Sequence, residues 1–443
     1  MAVKGLYWFT NDLRLYDNPI LHQAYEHCDS LLCVYFMEPQ KQQFNRYQLV
    51  SVGEIRHRFL LQALQALQSN LATLGQRLLV MQADPMVSMP VLIEQYGINL
   101  IYRSRHCGWY EQQQWRYLKQ CYPHLRFIEV DTHTLYSQDQ LPFPLSDMPK
   151  SYSKFRKQIE QNVTVSSPLL VPDYLPPQPN VFCSDYLDIR HVHISDNDQV
   201  EWHGGENAAL MHLQQYFSSS LPSNYKETRN AIEGWDNSTK FSPWLACGVL
   251  SAKMIMATLL DYEKYKEKNS STYWIFFELL WREFFQWHAH AVGRDLYRFS
   301  GVQNKRLLNS FYPTRFKQWC EGSTPYPIVN AFMKQLNQTG YMSNRGRQIV
   351  ASCLVNELSV DWRYGAAYFE QQLIDHDVAA NWGNWQYIAG VGTDSREKRW
   401  FDLEKQTRLF DPNQHFIRYW RGDENLNALD SVNIDDWPMS GRG

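Results

Sequence analysis

The sequence predicts two halves of different fold class: a doubly wound parallel α/β layer over residues 1–131 and an all-α body over residues 204–420, joined by a long connection. Three observations carry this reading. Short apolar runs alternate with helical periods through the first half, the pattern of a parallel sheet covered by helices on both faces. Prolines then crowd the chain, eight of the 20 falling between Pro142 and Pro179. Beyond Gly204-Gly205-Glu206 only a helical period persists. At 443 residues, more than one domain is expected in any case.

In the first half the β-like runs are Gly5–Thr10, Leu31–Met37, Arg77–Gln82, Asn99–Arg103 and Arg126–Val130. The clearest helical stripe is Ile55, Phe59, Leu60, Leu64, Leu67, Leu71 and Leu74, spaced three or four residues apart. Such sheets bind ligands beyond the carboxyl ends of their strands. The segment after the first run reads Tyr-Trp-Phe-Thr-Asn-Asp-Leu-Arg-Leu, with no Gly-x-Gly-x-x-Gly and no Walker loop, so this half is no obvious dinucleotide or triphosphate site. Residues 132–203 read as a connecting segment wrapped over the surface, without a long helical period. Helices are expected near 206–217, 242–261, 271–291, 325–339, 342–358, 363–374 and 396–407. Residues 421–443 form a polar tail.

Composition removes several function classes. The net charge of −3 makes any nucleic-acid contact a local basic patch on a near-neutral body. The 8 Cys include no Cys-x-x-Cys pair, which argues against zinc and disulfide frameworks alike and suits a reducing cytoplasm; no metal is expected. No secretory signal is visible, and the apolar stretch Trp274 to Trp287 carries Glu278, Arg282 and Glu283, so no membrane span is expected. The aromatic load, 16 Trp, 27 Tyr and 22 Phe, fits a ring-rich core or the stacking of planar ligands.

Four stretches carry chemistry. Asp375 to Gly392 gathers Asp375, Asp377 and Asn381 with Trp382, Trp385 and Tyr387, separated by small residues. Carboxylates and amides are seldom buried among rings unpartnered, so a polar planar ligand such as a flavin, or an arginine, is expected between them. A capped helix end with aromatic packing is the plainer alternative. Tyr225-Lys-Glu-Thr-Arg229 and Asn237-Ser-Thr-Lys-Phe-Ser-Pro243 place hydroxyls and backbone donors just before a helix, which suits an anion or a simple N-cap. In Glu278-Leu-Leu-Trp281-Arg282-Glu-Phe284, the charges at i,i+4 sit among rings, which points to a cleft rather than a solvated face. In Gly340-Tyr-Met-Ser343-Asn344-Arg345-Gly346-Arg347-Gln348, Ser343 is a candidate N-cap, and one arginine can pair a buried carboxylate while the other faces a phosphate, unless both are merely at the surface.

Taken together, these stretches resemble the photolyase/cryptochrome family, specifically its DASH branch. The likeness runs from Phe-Thr-Asn-Asp-Leu-Arg-Leu-Tyr-Asp-Asn-Pro through Gly-Gly-Glu-x-Ala-Ala-Leu and Tyr-Lys-Glu-Thr-Arg-Asn. It continues through Ser-Thr-Lys-Phe-Ser-Pro-Trp-Leu, Ser-Asn-Arg-Gly-Arg-Gln and Asn-Trp-Gly-Asn-Trp-Gln-Tyr. The resemblance implies a Rossmann-like N-terminal domain, a linker and a C-terminal helical domain holding FAD. It implies that Tyr225, Ser238, Thr239, Lys240, Phe241 and Ser242 hold the pyrophosphate and ribose side. Asn344 and Arg347 would line the flavin and adenine, with Arg347 pairing Asp375 and Arg282 alongside. Asp377 would meet the isoalloxazine edge, and the neutral amide of Asn381 would face N5, favouring the reduced states.

The family's reaction splits cyclobutane pyrimidine dimers: reduced flavin absorbs near-UV or blue light and lends one electron to a lesion flipped out of the stack. By resemblance Glu278 would hydrogen-bond the damaged bases, with Asn344 near them and Trp281 and Tyr387 as walls. Arg229, Arg345, Arg396, Lys398 and Arg399 are candidate DNA contacts. Tyr387 after Trp-Gln and Gln348 after Gly-Arg make the pocket less apolar than in duplex-specific relatives, so single-stranded DNA is the expected partner. The His pair expected near Ser343–Asn344 for (6-4) repair is missing.

Trp385 and Trp362 match the inner residues of the family's electron-transfer chain, whereas Asn309 occupies the outer Trp position, leaving Tyr312 as the candidate relay. A folate antenna, 5,10-methenyltetrahydrofolate, would use Glu111, but the pattern around it is disturbed and the antenna is altered or absent. The expectation is a monomeric, FAD-dependent, light-driven repair enzyme for single-stranded DNA. The alternatives are a photoreceptor that binds nucleic acid without efficient repair and a redox flavoprotein of other purpose.

Overall fold

The protein is described here by a computed structural model that covers residues 2–179, 186–194, 201–393 and 399–430. The first half alternates β1 (Lys4–Phe9), α1 (Pro19–His27), β2 (Ser30–Phe36), α2 (Glu54–Thr73), β3 (Leu78–Met81), α3 (Pro85–Tyr96), β4 (Leu100–Ser104), α4 (Trp109–Cys121) and β5 (Arg126–Val130). All strand pairs are parallel, in the order β3-β2-β1-β4-β5, with Gly5 facing Leu31 on one side and Leu100 on the other. The three central strands are largely apolar and buried on both faces, as a sheet with helices above and below requires, with Arg103 and Ser104 buried at the end of β4. The order reverses between β1 and β4, where such folds open a crevice.

That crevice serves a different purpose here. After β1 the buried Arg14 donates to the carbonyls of Tyr16, Asp17, Thr132 and Gly248, at 2.8–3.0 Å. The Glu206 carboxylate, 2 % exposed, accepts from the backbone N–H of Leu15 and Tyr16 at 2.8–3.1 Å. The segment that would cradle a dinucleotide in other sheets of this class therefore clamps the helical body.

That body comprises α5 (Tyr152–Asn162), α6 (Glu206–Ser218), α7 (Leu221–Thr228), α8 (Ser242–Cys247), α9 (Ala252–Tyr265) and α10 (Ser270–Val292), followed by α11 (Pro313–Glu321), α12 (Pro327–Thr339), α13 (Asn344–Ser352), α14 (Trp362–Gln372), α15 (Val378–Ile388), α16 (Leu403–Phe410) and α17 (His415–Tyr419). The 23-residue α10 is its axis, started by an Asn269 capping box and packed against α7, α15, α5 and α9.

Three differences from the sequence expectation have local causes. The single helix expected over 242–261 is two, because Gly248 adopts a left-handed φ of 72° beside the backbone of Asn11. The helix expected over 342–358 ends at Ser352 and passes into one π-turn over Cys353–Glu357. The connecting segment carries α5, whose Tyr152, Phe155 and Ile159 are buried at helical spacing. Part of the helix expected over 396–407 lies outside the described residues, and α16 begins at Leu403. Among the described residues no helix is long and apolar enough to cross a membrane.

Candidate functional site

One cavity of about 480 Å³ opens within the helical body, between α7, the 231–241 loop, α8, α10, α13 and α15. Its polar half is built on an ion pair. Ser343 caps α13 by accepting from the Gly346 N–H at 3.2 Å, which sets the first turn and directs Arg347 inward. Arg347 donates to Asp375 at 2.7 Å, and the hydroxyl of Ser242 donates to the same oxygen at 2.7 Å. The second oxygen of Asp375 is buried without a protein donor. The Asp375 side chain is 3 % exposed, so this pair is the condition for a carboxylate to sit here.

Asp377 is the N-cap of α15, accepting from Ala380 N–H at 2.9 Å; it also accepts from Gln286 at 2.6 Å and lies 3.7 Å from Arg282. One turn on, the Asn381 side chain donates its N–H to the Ala366 carbonyl at 2.9 Å. The amide orientation is thereby fixed, leaving its oxygen as an acceptor at the cavity wall. Asn344, at the first position of α13, lines the same space.

On the other flank runs the loop Ser238, Thr239, Lys240, Phe241 and Ser242. No Ser or Thr hydroxyl caps α8; Phe241 holds the cap position and Ser242 is spent on Asp375. The loop is pinned from behind, since Trp202 donates its indole N–H to the Lys240 carbonyl at 3.2 Å and the His212 ring lies 2.9 Å from the Thr239 carbonyl. Lys240 has a left-handed φ of 55°, and its ammonium lies 4.9 Å from the Tyr341 ring. Burial depresses its pKa to about 8, with the Glu201 carboxylate opposing. Burial likewise pushes up the phenol of Tyr225.

The third wall is aromatic. Trp281 stacks on Tyr152 at 3.8 Å and meets the Tyr387 ring edge-on at 6.4 Å. Glu278 does not pair with Arg282 one turn away. It accepts from Arg229 of the turn after α7 at 2.6 Å and from the Trp274 indole at 3.1 Å, both on one oxygen, so its second oxygen is open. Burial raises its pKa, and Arg229 opposes the rise. Arg282 instead donates to the His133 carbonyl and leans toward Asp377.

Several sequence-predicted residues fall elsewhere. Arg229 lines the cavity and pairs with Glu278, with side chains that stay 21 % and 32 % exposed. Arg345 lies outside the cavity lining, donating to Asn230 at 3.2 Å with its guanidinium 4.9 Å from the Phe410 ring. Arg399 covers Tyr387 at 3.8 Å, and Arg396 and Lys398 lie outside the described residues.

Trp385 contacts Trp319 and Phe369, while the ring neighbour of Trp362 is Trp382 at 5.8 Å. Asn309 donates to the Val355 carbonyl at 2.7 Å, and Tyr312 carries Arg315 over its ring at 4.8 Å. Glu111 borders a separate cavity of about 90 Å³ with His106 and Lys41. Sequence reasoning missed Gln286 as a support of Asp377, although it lies on the Arg282 face of α10, one turn on. It also missed Tyr341 in the lining, whereas Phe285, one of the rings around Glu278, does line it.

The cavity volume falls in the range of cofactor pockets. Its polar groups include two acceptors, the unpartnered Asp375 oxygen and the fixed Asn381 amide oxygen, and one donor, a lysine whose charge burial disfavours. Those features fit an anionic nucleotide with a planar, hydrogen-bonding ring. Comparison with known proteins agrees. Residues 5–177 match the family described as DNA photolyase, and residues 274–438 match the FAD binding domain of DNA photolyase. Over 98 % of its length the chain is 48 % identical to a protein of Idiomarina loihiensis named cryptochrome DASH, covering 96 % of it. A cryptochrome DASH of Vibrio parahaemolyticus is 46 % identical, with 98 % of this chain and 97 % of that one covered. The solved structure of a Synechocystis cryptochrome superposes with a TM-score of 0.90 at 38 % identity, covering 95 % of this chain and 89 % of that one.

Proposed function

The chain belongs to the DASH cryptochrome branch of the photolyase/cryptochrome family and takes FAD as its cofactor, and from there we propose that it reopens cyclobutane pyrimidine dimers in single-stranded DNA under near-UV or blue light. The observation that carries this reading is the joining, in one cavity, of a polar half suited to a flavin nucleotide and an aromatic hole with an open carboxyl oxygen. When bound, reduced FAD supplies the electron that opens a dimer and takes it back. The remaining work falls to the chain's own residues. Arg347, Asp375 and Ser242 orient the ring system, and Lys240 with the 238–242 backbone holds the phosphates. Asn381 presents its oxygen to a ring N–H and carries no proton of its own. Trp281 and Tyr387 exclude water and flank the lesion, and Glu278 meets a base polar edge with its free oxygen, keeping a proton there more readily because burial raises its pKa.

Strand preference follows from cost. Flipping a dimer out of a duplex takes a few kcal/mol, whereas a single strand is already unstacked. The phenol of Tyr387 and the amide of Gln348 make the hole a weaker apolar reward for that step. The test is dimer loss from a lesion-bearing oligonucleotide under blue light with reduced holoprotein. Repair of the single strand well above the duplex is expected, with Glu278→Ala and Trp281→Ala each slowing it at least tenfold. Light-independent binding without any dimer loss would favour a photoreceptor.

A further inference from the structure

Trp400 is the only exposed tryptophan among the described residues, at 60 %. It stands directly after Arg399, whose guanidinium lies 3.8 Å from the ring centre of Tyr387 in the cavity wall. The backbone on both sides of it is fixed to one helix. The Arg399 carbonyl accepts from Ser352 at 3.4 Å and from Asn356 at 3.2 Å, and the Phe401 N–H donates to the Ser352 hydroxyl at 3.0 Å. Preceding turns of that helix carry Gln348 and Ala351, which line the cavity. The indole N–H of Trp400 donates to Glu357 at 2.5 Å, so the ring is held by its edge while most of it stays exposed. Arg345 adds a cation nearby, its guanidinium 6.0 Å from the Phe401 ring.

An exposed indole held rigid in this way has no packing function. From these placements, and resting on the single-strand reading above, we propose that Trp400 is a stacking platform for a base of single-stranded DNA beside the bases drawn into the cavity. Base stacking on an aromatic ring is tolerant of sequence and needs a strand whose bases are free, which a duplex does not offer. The Glu357 carboxylate at the ring edge repels phosphate, so this spot selects a base face, while the nearby cations of Arg399 and Arg345 take the backbone charge. A platform fixed before binding loses little side-chain entropy on contact.

The test is fluorescence anisotropy of a short labelled oligothymidylate, in the dark, with FAD-loaded protein across a salt series. Trp400→Ala should weaken single-strand binding roughly tenfold, within the range of one lost stack, with an unchanged salt slope. Trp400→Phe should keep most of the affinity, duplex binding should hardly change, and FAD content per chain should equal that of the wild type. Arg399→Ala, in contrast, should make the salt slope shallower by about one. Equal affinity of Trp400→Ala and wild type would overturn the platform while leaving the repair reading intact. So would a loss seen equally with duplex or only as a shallower salt slope. A wild-type protein that ignores the oligonucleotide overturns both.

Discussion

Arg347 and Asp375 decide whether the cavity can exist without its ligand. The Asp375 side chain is 3 % exposed and that of Arg347 25 %, so each needs the other far more than it would on a surface. Arg347→Ala strands the carboxylate, and urea unfolding of the FAD-free protein should register a loss of about 3 kcal/mol, toward the lower end for a broken buried pair because the arginine is part solvated. Lys240 gives a pH signature. With its pKa held near 8 in the unliganded protein, it is charged below that value and must take up a proton to face a diphosphate above it. FAD affinity should therefore fall as pH rises above 8, by up to about tenfold per unit, toward the ordinary lysine range. Lys240→Met should bind FAD more weakly and flatten the dependence, as equilibrium titration of the apoprotein would show. At this scale the sequence was partly readable. The pairing of Arg347 with Asp375 was expected from the family resemblance, whereas spacing alone left open which arginine turns inward; the rings around Glu278 announced a cleft. The partner of Glu278 was not readable, because i,i+4 spacing states only what can touch along a helix, and Arg229 arrives from another one.

The elements hold these residues in register, and the break between α8 and α9 matters most. Gly248 has a φ of 72°, and a Cβ there would lie 1.7 Å from the Asn11 carbonyl oxygen, a backbone atom that cannot step aside. Gly248→Ala should thus cost more than the about 1–2 kcal/mol of left-handed backbone alone and lower the thermal midpoint accordingly. A glycine within an apolar helical period does not declare itself as a stop, so the sequence read one helix where two stand. The five strands were legible to within a residue or two, most plainly β1, β2 and β3, because a buried parallel strand is a nearly unbroken apolar run. Helix α5 was obscured by the prolines around it, although its buried positions keep a helical spacing. The π-turn after Ser352 left no mark that a periodicity could catch.

At the scale of the whole molecule, the two halves are one working unit. Arg14 and Glu206 reach across the junction with buried, satisfied hydrogen bonds, and the strand-end segment that other α/β sheets offer to nucleotides is consumed in doing so. Glu206→Ala leaves the backbone donors of Leu15 and Tyr16 buried and unmet. It should lower unfolding stability by about 2–4 kcal/mol, on the scale of two orphaned groups, without touching the cavity. Coincident unfolding curves from probes in each half are expected of the wild type. The division into two fold classes was visible in the change of period along the chain; the clamp between them was not, since it joins residues far apart in sequence.

The most direct measurement is the absorption spectrum of FAD-loaded protein titrated in the dark with a single-stranded oligonucleotide carrying one thymine dimer. A lesion seated between Trp281, Tyr387 and the ring held by Arg347 and Asp375 displaces water from the flavin. The bands should shift, saturate at one lesion per chain, and stay still with the undamaged strand or with Trp281→Ala. Tight binding of the lesion with an unperturbed flavin spectrum would place the damage somewhere other than this cavity.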